Sequence, residues 1–134
     1  MMDKNFTIKP AHWPDDAAAL RMIRETVFVK ELGVPQELEW DGHDQEATHV
    51  LAVFLAGDVL EKPIGTGRLL PDGQIGRMAV LKDWRGLGVG TAMLKMLLRQ
   101  ACAKGLKNVF LNAQLLLKNA KTTKKIVELV MFKG

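Results

Sequence analysis

The chain has 134 residues, 48% of them hydrophobic and 25% charged, which is the size and composition of one globular domain spanning residues 1–134. No apolar stretch approaches the roughly 20 residues that cross a bilayer, and the N-terminus lacks an apolar export signal, so we expect a cytoplasmic protein without a membrane partner. The single cysteine, Cys102, excludes an internal disulfide and a multi-cysteine metal site. We therefore expect no metal.

The net charge of +4 lies entirely in the C-terminal tail. Residues 1–117 hold 14 basic and 14 acidic side chains, whereas residues 118–134 hold five lysines and one glutamate. A short basic tail is usually only solvated. Because the body has no basic stripe interleaved with aromatic residues, and the chain has no tyrosine, we expect no nucleic-acid partner.

The first half of the chain predicts a strand, a helix and consecutive antiparallel strands. Phe6 to Lys9 alternates apolar and polar residues, and the strand is expected to end at Pro10. A helix follows to about Lys30, with Asp15 and Asp16 in its first turn. After an acidic loop, three runs predict antiparallel strands: His49 to Leu55, Ile64 to Leu70, and Gln74 to Leu81.

The second half predicts a long helix and a parallel strand. From Thr91 the apolar residues recur three and four positions apart up to a natural helix stop at Gly105, and Cys102 is expected on this buried stripe. Val109 to Leu111 is expected to pair in parallel with Gln74 to Leu81 through a right-handed crossover. The sequence thus predicts an α/β fold with a mixed, mostly antiparallel sheet flanked by helices.

The turn before the long helix contains Arg85 followed by glycines at 86, 88 and 90. Glycine lets a ligand approach the backbone closely, and the first turn of a helix offers unpaired N–H groups to an anion. Arg85 would add a mobile cation, so the loop predicts a diphosphate site. A P-loop needs a lysine after Gly90, where Thr91 stands, and a dinucleotide-binding loop needs its third glycine at that same position.

This loop and several other segments resemble the GNAT superfamily of N-acetyltransferases. Arg85, Gly88 and Gly90 match the family pattern Arg/Gln-x-x-Gly-x-Gly/Ala. The resemblance is to the small bacterial ElaA-like branch and covers about residues 6–117. The other matching segments are Arg24, Val27-Phe28, Glu31, Asp41, Asp44, His49, Gly65 to Leu70, Gly76 to Val80, and Asn112 to Gln114.

The resemblance implies a binding mode for acetyl-coenzyme A. In this family the strand matching Gly76 to Val80 splays away from the strand matching Val109 to Asn112, and the pantetheine arm lies between them. Backbone groups of Met78 and Val80 would then pair with the pantetheine amides, and a nearby N–H would polarise the thioester carbonyl. The residues expected to bind the cofactor are Met78, Ala79, Val80, Arg85, Gly86, Leu87, Gly88, Val89, Gly90, Thr91, Asn112 and Gln114.

The reaction that the resemblance implies is direct attack of a neutral amine on the acetyl thioester, which needs a base and an acid. Glu31 and His49 are the candidate catalytic bases, although each also fits a plain alternative: a solvated helix end for Glu31 and a structural histidine for His49. Asp41 and Asp44 would form an anionic rim that attracts a cationic amine, or would only be solvated. The absence of tyrosine excludes the acid that the family normally uses.

The tail departs from the family pattern, because residues 118–134 lack its aromatic pair and its Gly-Phe and are shorter. The apolar run Ile126 to Phe132 is expected to form a strand on the open sheet edge, either within the monomer or across a two-fold homodimer. Two functions therefore stay open. The first is an N-acetyltransferase that acts from acetyl-CoA on a primary amine of a small molecule or an exposed amino group. The alternative is a non-catalytic acyl-CoA binding or regulatory module.

Overall fold

The computed structural model describes residues 5–36, 40–56 and 60–111. These residues form one mixed sheet in the order β1-β2-β3-β4-β5, in which the first four strands are antiparallel neighbours and β5 pairs in parallel with β4. The strands are β1 (Phe6–Ala11), β2 (Thr48–Ala56), β3 (Leu60–Leu69), β4 (Gln74–Val80) and β5 (Phe110–Leu111). The predicted fold class, a mixed and mostly antiparallel sheet with helices, is confirmed.

Helices lie on both faces of the sheet. Helix α1 (Ala17–Arg24) continues without a break into a π-helical segment (Glu25–Glu31), and helix α2 (Val89–Ala103) follows β4 after a short 3-10 turn (Lys82–Trp84). The predicted first helix to about Lys30 therefore corresponds to α1 and the π-helical segment together. The predicted stop of the long helix is also confirmed, because Gly105 follows α2 with a φ of +76°.

Strand β2 divides the core in two, because successive side chains of a strand point to opposite faces. Val50 and Ala52 belong to the cluster that contains the buried residues of α2, whereas Leu51 and Val53 pack with Leu20 of α1. Each fully buried side chain of this kind contributes about 1.5–3 kcal/mol to folding. The sheet is thus held between α1 on one face and α2 on the other.

Two expected boundaries shift in the structure. β1 does not end at Pro10 but continues to Ala11, because β1 is the edge strand and a proline there need not donate a ladder hydrogen bond. Helix α1 begins at Ala17, after Asp15 and Asp16. Instead of lying in the first helical turn, Asp16 accepts a hydrogen bond from the backbone N–H of His12 at 2.8 Å.

The expectation that Cys102 is buried is wrong. The inner face of α2 carries Met93, Leu94, Leu97 and Ala101, each at most 4% exposed, whereas Cys102 is exposed. One residue along an α-helix turns the side chain by about 100°, and this rotation takes Cys102 off the stripe that faces the sheet.

The turn between β3 and β4 sets the position of β5. Gly73 has a φ of +98°, and a Cβ at this position would lie 2.2 Å from the carbonyl oxygen of Asn108. The Gly73 carbonyl in turn accepts a hydrogen bond from the N–H of Phe110 at 3.0 Å. Only glycine allows the chain before β5 to approach the turn this closely.

Several predictions concern residues outside the described ranges. The cofactor-binding assignments of Asn112 and Gln114, the C-terminal strand Ile126 to Phe132 and the associated homodimer all fall after Leu111. These remain predictions. Within residues 5–36, 40–56 and 60–111, no helix has the length and apolar character required to cross a membrane.

Candidate functional site

The glycine loop joins the 3-10 turn to the N-terminus of α2. Gly86 and Gly88 have φ values of +77° and +86°, in the left-handed region that costs other residues about 1–2 kcal/mol. Gly88 is the N-cap of α2 and has no side chain to accept from the first N–H groups of this 15-residue helix. These N–H groups and the positive end of the helix dipole together form a site that suits a phosphate.

The outer side of the loop is open. A Cβ at Gly86, Gly88 or Gly90 would meet no atom within 4 Å, and the side chain of Leu87 is 45% exposed. Side chains from other parts of the described chain therefore do not crowd these three glycines. An open loop with free N–H groups suits an anionic group of a ligand.

Arg85 is not the mobile cation that we expected from the sequence. Its Nε donates to the backbone carbonyl of Val80 at 2.9 Å, and its Nη2 forms an ion pair with Oε2 of Glu31 at 2.6 Å. The two side chains are 26% and 28% exposed. The structure therefore joins one predicted cofactor ligand directly to one predicted catalytic base.

Strand β4 runs from a polar end at Gln74 to the loop at its other end. The N–H of Leu81 donates to Ile64 of β3 at 2.9 Å, so the alternation of an antiparallel ladder turns the backbone groups of Val80 away from β3. The pairing with β5 covers only Gln74 and Ile75 within the described residues. The rest of β4 includes Met78 and Ala79, which were expected to bind the cofactor.

A bulge interrupts β4 in the middle of this strand. The pairing of β4 with β3 shifts register between Thr66 and Arg68, opposite Arg77, which has a positive φ of 49°. Such a conformation is uncommon for a residue with a side chain and is frequent where a strand must redirect its backbone next to a functional site. The bulge lies between the glycine loop and the polar end of β4.

Beside the bulge, buried charges form a network that sequence reasoning missed. Asp44 accepts from Nη1 of Arg24 at 2.8 Å and from Nη1 of Arg68 at 3.1 Å. Asp41 binds Arg68 through two hydrogen bonds of 3.0 and 2.8 Å, and also accepts from Nη2 of Arg77 at 3.2 Å. The three arginines are between 1% and 7% exposed. A sequence signal existed, because arginines within apolar strands require buried counter-charges.

Asp44 does not form the expected anionic rim, because it is only 6% exposed, and Asp41, whose side chain is 25% exposed, is paired with Arg68 and Arg77. Burial by itself would raise the pKa of Asp44, but the hydrogen bonds and charges of Arg24 and Arg68 outweigh it and hold this pKa below its ordinary value. Burial would also raise the pKa of Asp41, but Arg68, the backbone N–H of His43 and Arg77 together hold this pKa well below its ordinary range. Both side chains are anions at neutral pH.

His49 lies next to this network and is 2% exposed. One ring nitrogen, Nε2, lies 2.8 Å from the backbone carbonyl oxygen of Asp44, and the ring stacks on Trp13 with centroids 5.6 Å apart. Burial lowers the pKa of His49 below its ordinary value of 6.5. This setting is typical of a structural histidine, and a catalytic role for His49 stays a prediction.

A polar pocket of about 480 Å³ opens at the start of β4. Seven of its nine lining residues are polar or charged, which favours a hydrophilic ligand over an aromatic or acyl group. Arg68 and Arg77 are its buried members, while His43 and Glu46 form an exposed pair with Nδ1 and Oε1 2.8 Å apart. The pocket and the glycine loop thus lie toward opposite ends of β4.

The comparisons with known proteins agree with this geometry. Residues 15–121 match the profile of the Acetyltransferase (GNAT) family. The chain belongs to the GNAT acetyltransferase family. The uncharacterized N-acetyltransferase YjcF of Bacillus subtilis is 42% identical over 95 residues, which make up 69% of this chain. This GNAT chain spans 64% of the length of that relative.

Two solved structures show the same GNAT fold. Escherichia coli ElaA superimposes with a TM-score of 0.70 at 24% identity, covering 89% of this chain and 85% of ElaA. A predicted acetyltransferase of Clostridium acetobutylicum, solved with acetyl-CoA, gives a TM-score of 0.62 at 20% identity and covers 81% of each chain. The family resemblance seen in the sequence is confirmed, including the likeness to ElaA.

Proposed function

We propose that this GNAT chain transfers an acetyl group from acetyl-CoA to a primary amine. The observation that carries the proposal is the glycine loop, which presents an uncapped helix N-terminus to open space at the end of β4. The N–H groups from Gly86 to Thr91 would bind the diphosphate. The name of the Bacillus subtilis relative and the acetyl-CoA of the Clostridium acetobutylicum structure support this donor.

The pantetheine arm would run along β4 toward the polar pocket. At about 3.3 Å per residue, the strand from Gln74 to Val80 is about 20 Å long, which leaves room for an extended arm. The N–H of Val80 points away from β3, toward the side on which the arm would lie. The Val80 carbonyl accepts a hydrogen bond from Arg85 and retains a second lone pair. This direction would carry the thioester toward the bulge at Arg77.

The acceptor amine would enter through the polar pocket at the start of β4. Because most of the residues that line the pocket are polar or charged, we propose a small hydrophilic amine as the acceptor. Glu46 and Asp72 lie at the exposed part of the lining and would attract an ammonium group. An exposed amino group on a larger molecule would have to reach into the same pocket.

In the proposed reaction the neutral amine nitrogen attacks the thioester carbonyl carbon, the carbon–sulfur bond breaks, and the coenzyme A thiolate leaves. The proton of the amine passes to water or to a side chain. Glu31 is engaged by Arg85 and His49 is buried, so we propose that water takes the proton. Thiols are far more acidic than alcohols, with a pKa of about 8.5 for cysteine, so the coenzyme A thiolate can leave without a strong acid.

The test is an acetylation assay with a panel of primary amines, read by mass spectrometry and by release of free coenzyme A. Acetylated product that depends on acetyl-CoA supports the proposal. One observation favours the alternative function, a non-catalytic acyl-CoA binding module: Glu31 is paired with Arg85 and His49 is buried, so neither candidate base is open to a substrate. Tight binding of coenzyme A in calorimetry, without turnover of any amine in the panel, would favour that module instead.

A further inference from the structure

The ion pair between Glu31 and Arg85 joins two distant parts of the chain at the candidate cofactor loop. Arg85 is fixed in two directions, by the Val80 carbonyl at 2.9 Å and by Glu31 at 2.6 Å. Glu31 ends the π-helical segment, and Arg85 begins the glycine loop. We propose that Glu31 is a positioning residue that, through Arg85, holds the glycine loop in its diphosphate-binding shape. This inference rests on the proposed binding of acetyl-CoA.

The loop needs an external support because its own residues provide little. Gly86, Gly88 and Gly90 have no side chains, and the first two adopt left-handed conformations that glycine visits and leaves easily. The preceding backbone bond, from the N–H of Arg85 to Lys82, is 3.3 Å long. Trp84 and Val89, on either side of the loop, are buried in the core, and between them Arg85 supplies side-chain hydrogen bonds at the start of the loop.

Glu31 is suited to this role because its own segment is firmly placed. Val27 and Phe28 of the π-helical segment are 6% and 3% exposed and pack with Ala79 of β4. π-helical turns are rare and are frequently found at functional sites. The segment thus connects the Glu31 carboxylate to the same strand that leads into the loop.

The charges also favour a lasting pair over an exchange of partners. If Arg85 left Glu31 to bind the diphosphate, the negative charge of Glu31 would stay close to a dianionic ligand and repel it. If the pair persists, its charges cancel, and the loop N–H groups bind the diphosphate. The two models predict opposite effects of removing the Glu31 charge. A positioning role predicts weaker coenzyme A binding, whereas competition for Arg85 predicts tighter binding.

The experiment measures coenzyme A affinity by calorimetry in the full chain for Glu31→Gln, Arg85→Gln and the double variant. We expect Glu31→Gln to weaken binding by about 3- to 10-fold, and the double variant to bind no more weakly than Arg85→Gln. The matched control is Glu61→Gln, because Glu61 also forms an ion pair of 2.6 Å, but its partner is Lys9 and not a residue of the loop. Tighter binding by Glu31→Gln, or an affinity equal to that of the control, overturns the proposal.

A second measurement does not depend on the cofactor. In the free protein, Glu31→Gln should lower the NMR order parameters of the loop N–H groups at Leu87 and Val89, and Glu61→Gln should leave them unchanged. Unchanged loop order in Glu31→Gln contradicts the positioning role. A wild-type chain that binds no coenzyme A would refute the proposed function instead, and the order parameters would still decide the role of Glu31.

Discussion

Replacing Asp44 by asparagine should destabilise the fold more than any surface charge change. The Asp44 carboxylate is buried and bonds Arg24 at 2.8 Å and Arg68 at 3.1 Å, and these arginines are 1% and 3% exposed. Asparagine keeps the size but removes the charge, so Arg24 and Arg68 would lose the anion that both of them bond. Removing one partner of a buried ion pair costs about 3–5 kcal/mol, because the remaining charge is left without compensation.

This loss is large compared with the total stability of a small domain, which is about 5–15 kcal/mol. At a few degrees per kcal/mol for a chain of this size, the melting temperature should fall by about 10–15 °C. The assay is urea denaturation followed by circular dichroism, with calorimetry as a second measurement. Glu61→Gln is the control, because it removes an exposed ion pair and should cost less than about 1 kcal/mol. If Asp44→Asn lowers the free energy of unfolding no more than this control does, the charges of the network must be hydrated, and the reasoning from a buried ion pair fails.

Three further predictions concern pH, the β3–β4 turn and the polar pocket. The pKa of His49 is lowered by burial from 6.5, so the folded state binds fewer protons than the unfolded chain, and stability should fall as pH drops below about 6.5. Stability should fall again below about pH 4, where the unfolded form of Asp44 binds protons before the folded form. In urea melts from pH 7 to 3, His49→Asn should remove the loss of stability below about pH 6.5 and keep the loss below about pH 4. If the loss below about pH 6.5 is unaltered in this variant, His49 is not its cause. In thermal melts, Gly73→Ala should lower the melting temperature far more than Gly105→Ala. Both glycines have a positive φ, but only at Gly73 would a Cβ lie against a backbone oxygen. Equal losses of stability in the two variants would show that this close approach is not the cause. Glu46→Gln should raise the KM for a cationic amine several-fold while the affinity for coenzyme A stays constant, and an unchanged KM would place the acceptor elsewhere.

The sheet, the long helix and the glycine loop could be predicted because their signals are local. Alternation along β1, helical spacing along α2 and glycines at the turn each depend on residues close in sequence. A left-handed loop conformation requires glycine wherever the chain leads afterwards, so Gly86 and Gly88 marked the loop correctly. The resemblance to the GNAT family rested on the pattern of Arg85, Gly88 and Gly90 together with the other matching segments.

The partners of the charged residues could not be predicted in this way. Glu31 and Arg85 lie 54 positions apart in sequence, and Asp41 and Arg68 lie 27 apart, yet each pair is in contact. The sequence indicated which residues carry charge, and composition showed that acids and bases balance in residues 1–117. Only the tertiary structure decided that Asp41 pairs with Arg68 and that Glu31 pairs with Arg85. Coulomb attraction acts between groups that the folded chain brings together, whatever their separation in sequence.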